Sequence, residues 1–505
     1  MSFNSQSLNE DRNSLEFYNR IEAERQNLIN VLESLEDGKY LTLSNADILF
    51  NEIEENENYS YREFAIPEIL LKKIDFSNVS FDNVDIRGFN FTGYKGIKIN
   101  PQTVFKKNLR GCKLSGVEFI GPFDGVIIEG TNFTGSKGAK INPQTVYEKD
   151  LSWNKFSGVE FIGPFDGVMI EKANFTGSKG AKINPQTVFK KNLRGCKFSE
   201  VEFIGPFDGA DLVHFDDLGS EGADFTGSKG AKINPQTIFE KKFIWCILSG
   251  VEFIGPFDGA KIVGANFTGS KGAKINPQTI YNKYLSGCTF SGVEFIGSFD
   301  GVELVYFGYT DYIGADFTGS KGAKINPQTV YEKDLSWNKF SGVEFIGPFD
   351  RVKINGADFT GSKGAKINPQ TIYSDLKECT FSGVEFIGPF DGVKINGADF
   401  TGSKGARINP QTLYSFEKCK LSGVEFIGSF DGIYLNELDF TGSKGAKINL
   451  RTVYYDCLYL CVLTDVEITD DIDMEKIGII KSRITNDEIG LIDADYKLIR
   501  NKNQL

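Results

Sequence analysis

The 505-residue sequence predicts an all-β solenoid, in which short strands wind into stacked turns around one continuous core. Two observations support this prediction. The phrase FTGSKGAKINPQT recurs almost unchanged with SGVEFIG(P/S)FDG between copies, and large apolar residues recur every five positions inside each repeat. Neither a helix, with 3.6 residues per turn, nor a flat strand, with an alternation of two, has a period of five. The sequence therefore indicates a repeat architecture rather than several ordinary domains.

The isoleucine of the KIN tripeptide marks successive repeats. It occurs at Ile99, Ile141, Ile183, Ile233, Ile275, Ile325, Ile367, Ile408 and Ile448. Of the eight steps between these markers, four are 42 residues long and the last two are 41 and 40. The other two are 50, because extra residues occur around 214–221 and 306–313. We expect both insertions to leave the solenoid as loops without changing its register, and His214 to be an exposed polar residue.

Each repeat divides into eight short segments, most of them pentads with a large apolar residue at the centre. A small residue lies two positions before that centre, as at Val159, Ala173 and Cys196. The pentads CKFSG, VEFIG, ADFTG and ANFTG resemble the motif of the pentapeptide-repeat protein family, and the resemblance covers about residues 69–468. It implies a right-handed, square β-helix with four sides per turn, and hence two turns per repeat.

The two ends of the chain differ from the repeats. We expect residues 1–68 to be an acidic helical cap or adaptor, 69–468 the β-helix and 469–505 a C-terminal cap. Possible capping boxes at Ser7–Glu10 and Ser44–Asp47 predict two N-terminal helices, the first with a stripe of Ile21, Leu28, Val31, Leu32 and Leu35. Such helices could cap the solenoid, form a homodimer or dock a partner. The C-terminal segment is compatible with a strand pair or a helix.

Charge is unevenly distributed along the chain. The formal net charge is −12, of which the first 65 residues contribute −9 and residues 66–468 about −1. A nearly neutral solenoid disfavours direct nucleic-acid binding and mimicry of nucleic acid. Stacking of VEF pentads on AKI pentads predicts Glu160 beside Lys182, and a second ladder alternates Asn174 or Asp316 with Lys197 or Lys339.

The SKG tripeptide that follows each FTG places lysines in one column, about 10 Å apart if two turns separate them. Its members are Lys137, Lys179, Lys229, Lys271, Lys321, Lys363, Lys404 and Lys444. This lysine column could engage an anionic polymer or surface. The alternative is a solvated turn in which Gly and Lys simply suit the bulge.

A second candidate surface is aromatic and outward-facing. It consists of Phe105, Tyr147, Phe189, Phe239, Tyr281, Tyr331, Tyr373, Tyr414 and Tyr454. Exposed aromatic stripes are typical of binding surfaces, although these rings could instead pack over the Pro of GPFDG. In the same segment, lysines occupy nominally inward positions that a narrow tube cannot bury, so we expect them to turn outward: Lys149, Lys191, Lys241, Lys283 and Lys333.

The sequence provides little for catalysis. One His among 505 residues cannot build a His-based triad or a His-rich zinc site, and we predict no catalytic residue, metal or cofactor. Cysteines at the small inward positions predict buried, reduced thiols: Cys112, Cys196, Cys288, Cys379 and Cys419. No apolar run is long enough to span a bilayer, which favours a cytoplasmic protein or export without a cleaved signal.

These observations favour a non-enzymatic, rod-like scaffold that presents repeated side chains to a partner, most simply a protein. Two alternatives stay open. The pentapeptide-repeat family includes DNA mimics that protect topoisomerases, although this activity requires an acidic rod. The other alternative is a bacterial effector or toxin scaffold with an active terminal segment.

Overall fold

The computed structural model describes residues 2–3, 15–35, 41–43, 49–56, 59–64, 67, 70, 73–94, 96–216, 219–307, 312–373, 375–449, 458–459, 461–469, 489–492 and 498–500. The chain divides into two compact units, Met1–Phe253 and Ile254–Leu505. Both are built from the same two-turn repeat.

The repeats form two-residue strands that pair in parallel with the next turn. In the first unit these pairs are Lys98–Ile99 with Glu118–Phe119, Lys140–Ile141 with Glu160–Phe161, Lys182–Ile183 with Glu202–Phe203, and Lys232–Ile233 with Glu252–Phe253. Each partner lies 20 residues further along the chain, which is the length of four pentads. One turn therefore has four sides, as predicted.

The second unit repeats this arrangement. Its strand pairs are Lys274–Ile275 with Glu294–Phe295, Lys324–Ile325 with Glu344–Phe345, Lys366–Ile367 with Glu385–Phe386, Arg407–Ile408 with Glu425–Phe426, Leu435–Asn436 with Leu458–Tyr459, and Lys447–Ile448 with Glu467–Ile468. The short 3₁₀ turns of both units are Phe76–Asn78, Phe105–Lys107, Tyr147–Lys149, Phe189–Lys191, Phe239–Lys241, Tyr281–Lys283, Tyr331–Lys333, Pro369–Thr371 and Pro410–Thr412.

The central residues of the pentads form the core. Phe156 and Phe175, in successive turns, are fully buried with ring centroids 5.4 Å apart, and Phe161 packs on Phe165 at 5.2 Å. Full burial of one such side chain contributes about 1.5–3 kcal/mol, so the phenylalanine column is a major source of stability. This confirms the predicted inward positions.

The N-terminal segment contains one helix, Leu15–Ser34, and a β-hairpin, Phe50–Asn56 with Tyr59–Phe64. Leu28 and Leu32 of the predicted apolar stripe are fully buried. The second predicted helix is wrong in the described part of that region. Aromatic and β-branched residues favour strands and occupy paired positions of the hairpin, as at Phe50 opposite Phe64 and Ile53 opposite Tyr61. Residues 4–14, with the first capping box, and 44–48, with the second, lie outside the described residues.

Short strands join this segment to the first turn of the solenoid. Ser2–Phe3 pairs with Leu41–Leu43, which in turn pairs in parallel with Ile74–Asp75. The Nζ of Lys73 also donates to the carbonyl oxygens of Leu32 (3.1 Å) and Leu35 (2.8 Å) at the C-terminal end of the helix. A lysine here satisfies carbonyl groups that a helix end leaves free. The N-terminal strands thus cover backbone groups that the first turn would otherwise expose.

Both insertions form antiparallel hairpins. One pairs Val213–Asp216 with Gly219–Gly222, and the other pairs Val305–Phe307 with Tyr312–Gly314. The parallel bridges Lys197–Asp224 and Thr289–Asp316 follow, so the turns resume in register as predicted. The side chain of His214 lies outside the described part of the chain. Near the C-terminus, Ile489–Ile492 pairs antiparallel with Leu498–Arg500, in agreement with the strand-pair alternative.

Candidate binding faces

The aromatic column, defined as Phe105, Tyr147, Phe189, Phe239, Tyr281, Tyr331, Tyr373 and Tyr414, lies on the surface. Phe105 is half-buried, and the other seven side chains are 42–79% exposed. Tyr454 lies outside the described residues. The extent of this exposure shows that the seven rings are not covered by the neighbouring proline.

A repeated turn positions each aromatic ring. The Oδ1 of Asn142 accepts the backbone N–H of Gln144 at 3.1 Å, which fixes the Asn-Pro-Gln turn after the KIN strand. Val146 then points into the core and Tyr147 points outward. Because Glu148 and the following lysine both have positive φ, the chain bends sharply and leaves the ring at the surface. A hydrogen bond and the charge of Glu148 raise the pKa of the Tyr147 phenol, so it stays neutral near pH 7.

The glutamine of NPQT joins neighbouring turns. The Nε2 of Gln144 donates to the carbonyl oxygens of Pro164 (3.1 Å) and Asp166 (2.8 Å) in the next turn, and its Oε1 accepts from Lys149 Nζ at 2.7 Å. We call this network of the glutamine, the two carbonyl oxygens and the lysine the glutamine clamp. It explains why NPQT recurs. It also confirms that Lys149 turns outward, because its ammonium group reaches this glutamine rather than the core.

Equivalent contacts recur in both units. Lysine-to-glutamine hydrogen bonds join Lys107 to Gln102, Lys241 to Gln236, Lys283 to Gln278, and Lys333 to Gln328. Lys191 instead donates to the carbonyl oxygen of Asp208 at 2.9 Å. All five lysines predicted to turn outward therefore make polar contacts at the surface.

Two repeats lack the lysine of this clamp. The segments after Tyr373 and Tyr414 are one and two residues shorter and contain no lysine at the clamp position. Their 3₁₀ turns are Pro369–Thr371 and Pro410–Thr412, before the aromatic residue. These tyrosines are 72% and 79% exposed, against 49% for Tyr331. The deletions thus produce the two most exposed rings of the column.

Lysines lie over several of the other rings. The Nζ of Lys190 is 5.1 Å from the ring centroid of Phe189, and that of Lys261 is 4.9 Å from the centroid of Tyr281. These distances suit cation–π contacts. The aromatic column therefore presents rings with positive charge close by.

The lysine column is exposed on the side formed by the KIN and VEFIG segments. Here the predicted neighbour of Glu160 is wrong. Glu160 pairs with Lys140 of the preceding turn, with 3.4 Å between the Nζ and Oε2 atoms, and its backbone bridges to Lys179 of the following turn. Lys182 instead pairs with Glu202. Between Lys179 and Lys182 the three-residue SKG bulge moves the chain on to the next turn. This explains why Glu160 lies beside Lys179 rather than Lys182.

The second predicted ladder is confirmed. Asn174 bridges to Lys197, and Asp316 bridges to Lys339 with 3.5 Å between the carboxylate and ammonium groups. Exposed pairs of this kind are worth about 0–1 kcal/mol each. This ladder therefore indicates a solvated side.

Sequence reasoning missed a third column, on the same side as the lysines. The isoleucine of each VEFIG segment points outward and is 56–61% exposed: Ile120, Ile162, Ile204, Ile254, Ile296, Ile346, Ile387 and Ile427. The signal was available, because the residue after the central Phe faces away from the core. The CKFSG, ADFTG and ANFTG pentads place Ser or Thr there.

Sequence reasoning also missed the tryptophans. Trp153, Trp245 and Trp337 adopt positive φ at a corner where alternate repeats have glycine, as at Gly195 and Gly287. A bulky residue in this conformation is unusual. At the corners formed by Gly195 and Gly287, the second strand of the insertion hairpin that follows lies over the glycine. A Cβ on Gly287 would lie 3.5 Å from the Cγ2 of Ile313.

The predicted cysteines are buried. Cys112, Cys196, Cys288, Cys379 and Cys419, with Cys246, are free thiols in the core, and Cys461 is also buried. Burial raises the pKa of Cys112 and Cys379 from 9.0 to about 12. Such thiols are poor nucleophiles, because the thiolate is the reactive form.

The described residues contain no group of three or more His, Cys, Asp or Glu side chains placed to hold a metal ion. Within the described ranges, no helix combines the length and apolar character that a bilayer crossing requires.

Pentads with inward Phe and Leu, four sides to a turn and two turns to a 42-residue repeat, form a β-solenoid of the class that the resemblance to pentapeptide-repeat proteins implies. No protein-family model matches the chain, and no curated protein sequence matches it significantly.

Solved structures of the same class are similar to it. HetL of the cyanobacterium Nostoc, a pentapeptide-repeat protein involved in the regulation of heterocyst differentiation, is 12% identical with a TM-score of 0.12, and the match covers 59% of this chain and 90% of HetL. A trypsin-treated variant of QnrB1, a plasmid-mediated fluoroquinolone resistance protein, is 12% identical with a TM-score of 0.11, covering 60% of this chain and 90% of QnrB1.

Proposed function

We propose that the chain is a non-enzymatic scaffold that binds a protein partner through the aromatic column. The observation that carries this proposal is the exposure of seven rings at one position of successive repeats. Tyrosine and phenylalanine are enriched at protein interfaces, and exposed apolar side chains in a regular array favour contact with a partner.

Repetition favours multivalent binding. Each repeat presents one ring beside the exposed aspartate of PFDG, and some also present a lysine near the ring. A single ring binds weakly, whereas linked copies raise the effective concentration of the next contact. Affinity should therefore grow with the number of intact repeats. Tyr373 and Tyr414 are expected to contribute most, because they are the most exposed rings.

We place residues 1–68 in this function as a cap rather than as the recruiting element. The pairing of Leu41–Leu43 with Ile74–Asp75 supports this assignment, because an uncovered strand would expose unpaired backbone groups to other chains. Six buried thiols in the described part of the chain, those of Cys112, Cys196, Cys246, Cys288, Cys379 and Cys419, form no disulfide and fit a reducing compartment such as the cytoplasm.

The surface charge speaks against the alternative of a topoisomerase-protecting DNA mimic. Such a mimic needs a regular negative surface, and one side of this solenoid carries two basic residues for each glutamate, as with Lys140 and Lys179 around Glu160. We therefore expect no protection of DNA gyrase from a fluoroquinolone in a supercoiling assay.

The proposal is tested by affinity capture from a lysate of the source cell, with the full chain and quantitative mass spectrometry. In the test variant, four rings of the second unit become serine: Tyr281, Tyr331, Tyr373 and Tyr414. In the matched control, four exposed isoleucines of the same unit become serine: Ile296, Ile346, Ile387 and Ile427. We expect a partner that is retained by the wild type and the control and lost, by at least tenfold, from the tyrosine variant.

A third variant examines the N-terminal helix. Changing the exposed residues Asn27, Asn30 and Glu33 to alanine alters its surface without removing the strands that cover the first turn. Loss of the partner from this variant, with full retention by the tyrosine variant, would assign recognition to the helix and refute the proposal.

A further inference from the structure

The isoleucine–lysine face is the side of the solenoid formed by the KIN and VEFIG segments. In each full repeat it presents one exposed isoleucine, one glutamate, one basic residue of the KIN or RIN tripeptide and one lysine of SKG. It lies on a different side of the turn from the aromatic column, which belongs to the QTVYE segments. Its ligand can therefore be considered independently of the proposed protein partner.

The isoleucines are left uncovered by their neighbours in adjacent turns. Ile162 follows Phe161, which pairs with Ile141 of the preceding turn, so Asn142 lies on that side. On the other side the chain passes through Gly180, which has φ of +73°. A Cβ on this glycine would lie 2.6 Å from the carbonyl oxygen of Phe161, too close for any side chain. The required glycine thus leaves one flank of the isoleucine open.

The charge of the face is positive. Each glutamate pairs with the basic residue of the preceding turn, as in Lys324–Glu344 (3.1 Å) and Arg407–Glu425 (3.0 Å). The lysine of the following SKG bridges to the same glutamate only through its backbone, as Lys363 does with Glu344. Among the residues that the structure describes, no lysine of the SKG column makes an ion pair with a carboxylate. Two basic residues and one glutamate leave one positive charge per repeat, although the whole chain carries −12.

We propose that the isoleucine–lysine face docks on the surface of a bilayer that contains anionic lipids. Aliphatic side chains enter the boundary between headgroups and acyl chains, while lysines bind lipid phosphates and carboxylates. The face supplies both kinds of contact in every repeat. Successive isoleucines, two turns apart, are separated by about 10 Å, so many headgroups can be engaged at once.

The isoleucines favour a lipid surface over a soluble polyanion. A polyanion is held by the lysines and gains nothing from an exposed aliphatic side chain. They also argue against a protein as the ligand of this face. The isoleucines stand singly between charged residues, whereas protein hot spots cluster in one desolvated centre. A fluid headgroup layer can adapt to this spacing.

The test uses the full chain and sedimentation with vesicles of phosphatidylcholine, either alone or with about 30 mol% phosphatidylserine. We expect binding to the anionic vesicles at physiological salt and little binding to phosphatidylcholine alone. Two variants address the face in the second unit. One changes Ile296, Ile346, Ile387 and Ile427 to serine, and the other changes Lys321, Lys363, Lys404 and Lys444 to glutamine. Each should weaken binding to anionic vesicles by at least tenfold.

The matched control changes Tyr281, Tyr331, Tyr373 and Tyr414 to serine and should bind the vesicles as the wild type does. Circular dichroism and thermal melting check that every variant is folded. If the isoleucine variant does not fold, the single variants Ile346→Ser and Ile387→Ser, each with a smaller expected loss, replace it.

Failure of the wild type to bind anionic vesicles would overturn the proposal. So would a lysine variant that loses binding while a folded isoleucine variant keeps it, because that result identifies a polyanion site. Neither outcome bears on the protein partner of the aromatic column, which the capture experiment tests separately.

Discussion

The indole of Trp337 lies directly against Gly356, one turn further along the second unit. The backbone N–H of Trp337 donates to the carbonyl oxygen of Asn355 at 2.8 Å. A Cβ on Gly356 would overlap the six-membered ring of the indole. The tryptophan itself has φ of 62°, a conformation that glycine provides in alternate repeats. One corner thus combines an unusual backbone conformation with a contact that requires glycine.

This contact predicts that Gly356→Ala is strongly destabilising. Positive φ at Gly356 costs alanine about 1–2 kcal/mol, and overlap with the indole adds about 1–3 kcal/mol. The matched control is Gly432→Ala, because Gly432 has φ of +70° but no atom near the position of a new Cβ. Urea unfolding of both variants measures the difference. Equal losses would show that the indole moves aside without cost.

The glutamine clamp predicts a difference between Gln328 and Gln370. Gln328 donates to the carbonyl oxygens of Pro348 (3.1 Å) and Asp350 (2.7 Å) and accepts from Lys333 (2.6 Å), whereas Gln370 makes one long contact with Asp391 at 3.4 Å. We expect Gln328→Ala to lower the free energy of unfolding by about 1–2 kcal/mol and Gln370→Ala to change it little. Thermal or urea unfolding measures both. A larger loss in the Gln370 variant would contradict the assigned role of the clamp.

The buried thiols predict protection from alkylation. With the pKa of Cys288 and Cys419 raised by burial from 9.0 to about 12, iodoacetamide at pH 8 should leave both unmodified in the folded protein and label both in guanidinium chloride. Peptide mass spectrometry reads out each site. Rapid labelling of either thiol in the folded chain would show that the core opens locally.

The raised pKa of these buried thiols also makes the free energy of unfolding depend on pH. A thiol whose pKa is higher in the folded state stabilises the fold fully below about pH 9. That contribution falls as the pH rises toward 12, because the unfolded chain then gains thiolate that the folded core excludes. The Cys288→Ala variant should therefore lose less stability than the wild type over this pH range. Equal losses would contradict a buried thiol at this position.

The second insertion predicts that the hairpin can be removed. Deletion of residues 305–312 leaves a repeat of 42 residues, the commonest repeat length, so the turns should stay in register. We expect an unchanged far-ultraviolet circular dichroism spectrum and a melting temperature within a few degrees of the wild type. The fluorescence of Trp337 should change, because Gly314 of the hairpin lies against its backbone. A chain that no longer melts cooperatively would show that the hairpin supports the register.

Much of the solenoid could be predicted because each position repeats the same steric requirement. A period of five separates the inward residues, as at Phe156 and Phe161, and a small residue two positions before each centre fits the narrow interior. The aromatic and lysine columns follow from the same rule, since residues next to an inward position point outward. Local pattern sufficed for these elements because each turn contacts only its neighbours.

Other features depended on how turns stack. The sequence alone paired Glu160 with Lys182, whereas stacking across the SKG bulge gives Glu160 the neighbours Lys140 and Lys179. A bulge changes which residues meet without changing which residues point outward. The greater exposure of Tyr373 and Tyr414 likewise accompanies shorter segments that lack the lysine contact to the glutamine.

By itself the sequence determined the solenoid, the inward phenylalanines and the burial of the cysteines, because periodic burial is a local property of a repeat. Only the tertiary structure decided that Phe50–Asn56 pairs with Tyr59–Phe64 and that Trp337 meets Gly356. It also decided that the isoleucines stand uncovered beside lysines that, among the described residues, make no ion pair with a carboxylate. The hairpin pairs residues at most 14 positions apart. The other features depend on contacts between successive turns, about 20 positions apart, and on the space that a neighbouring turn leaves free.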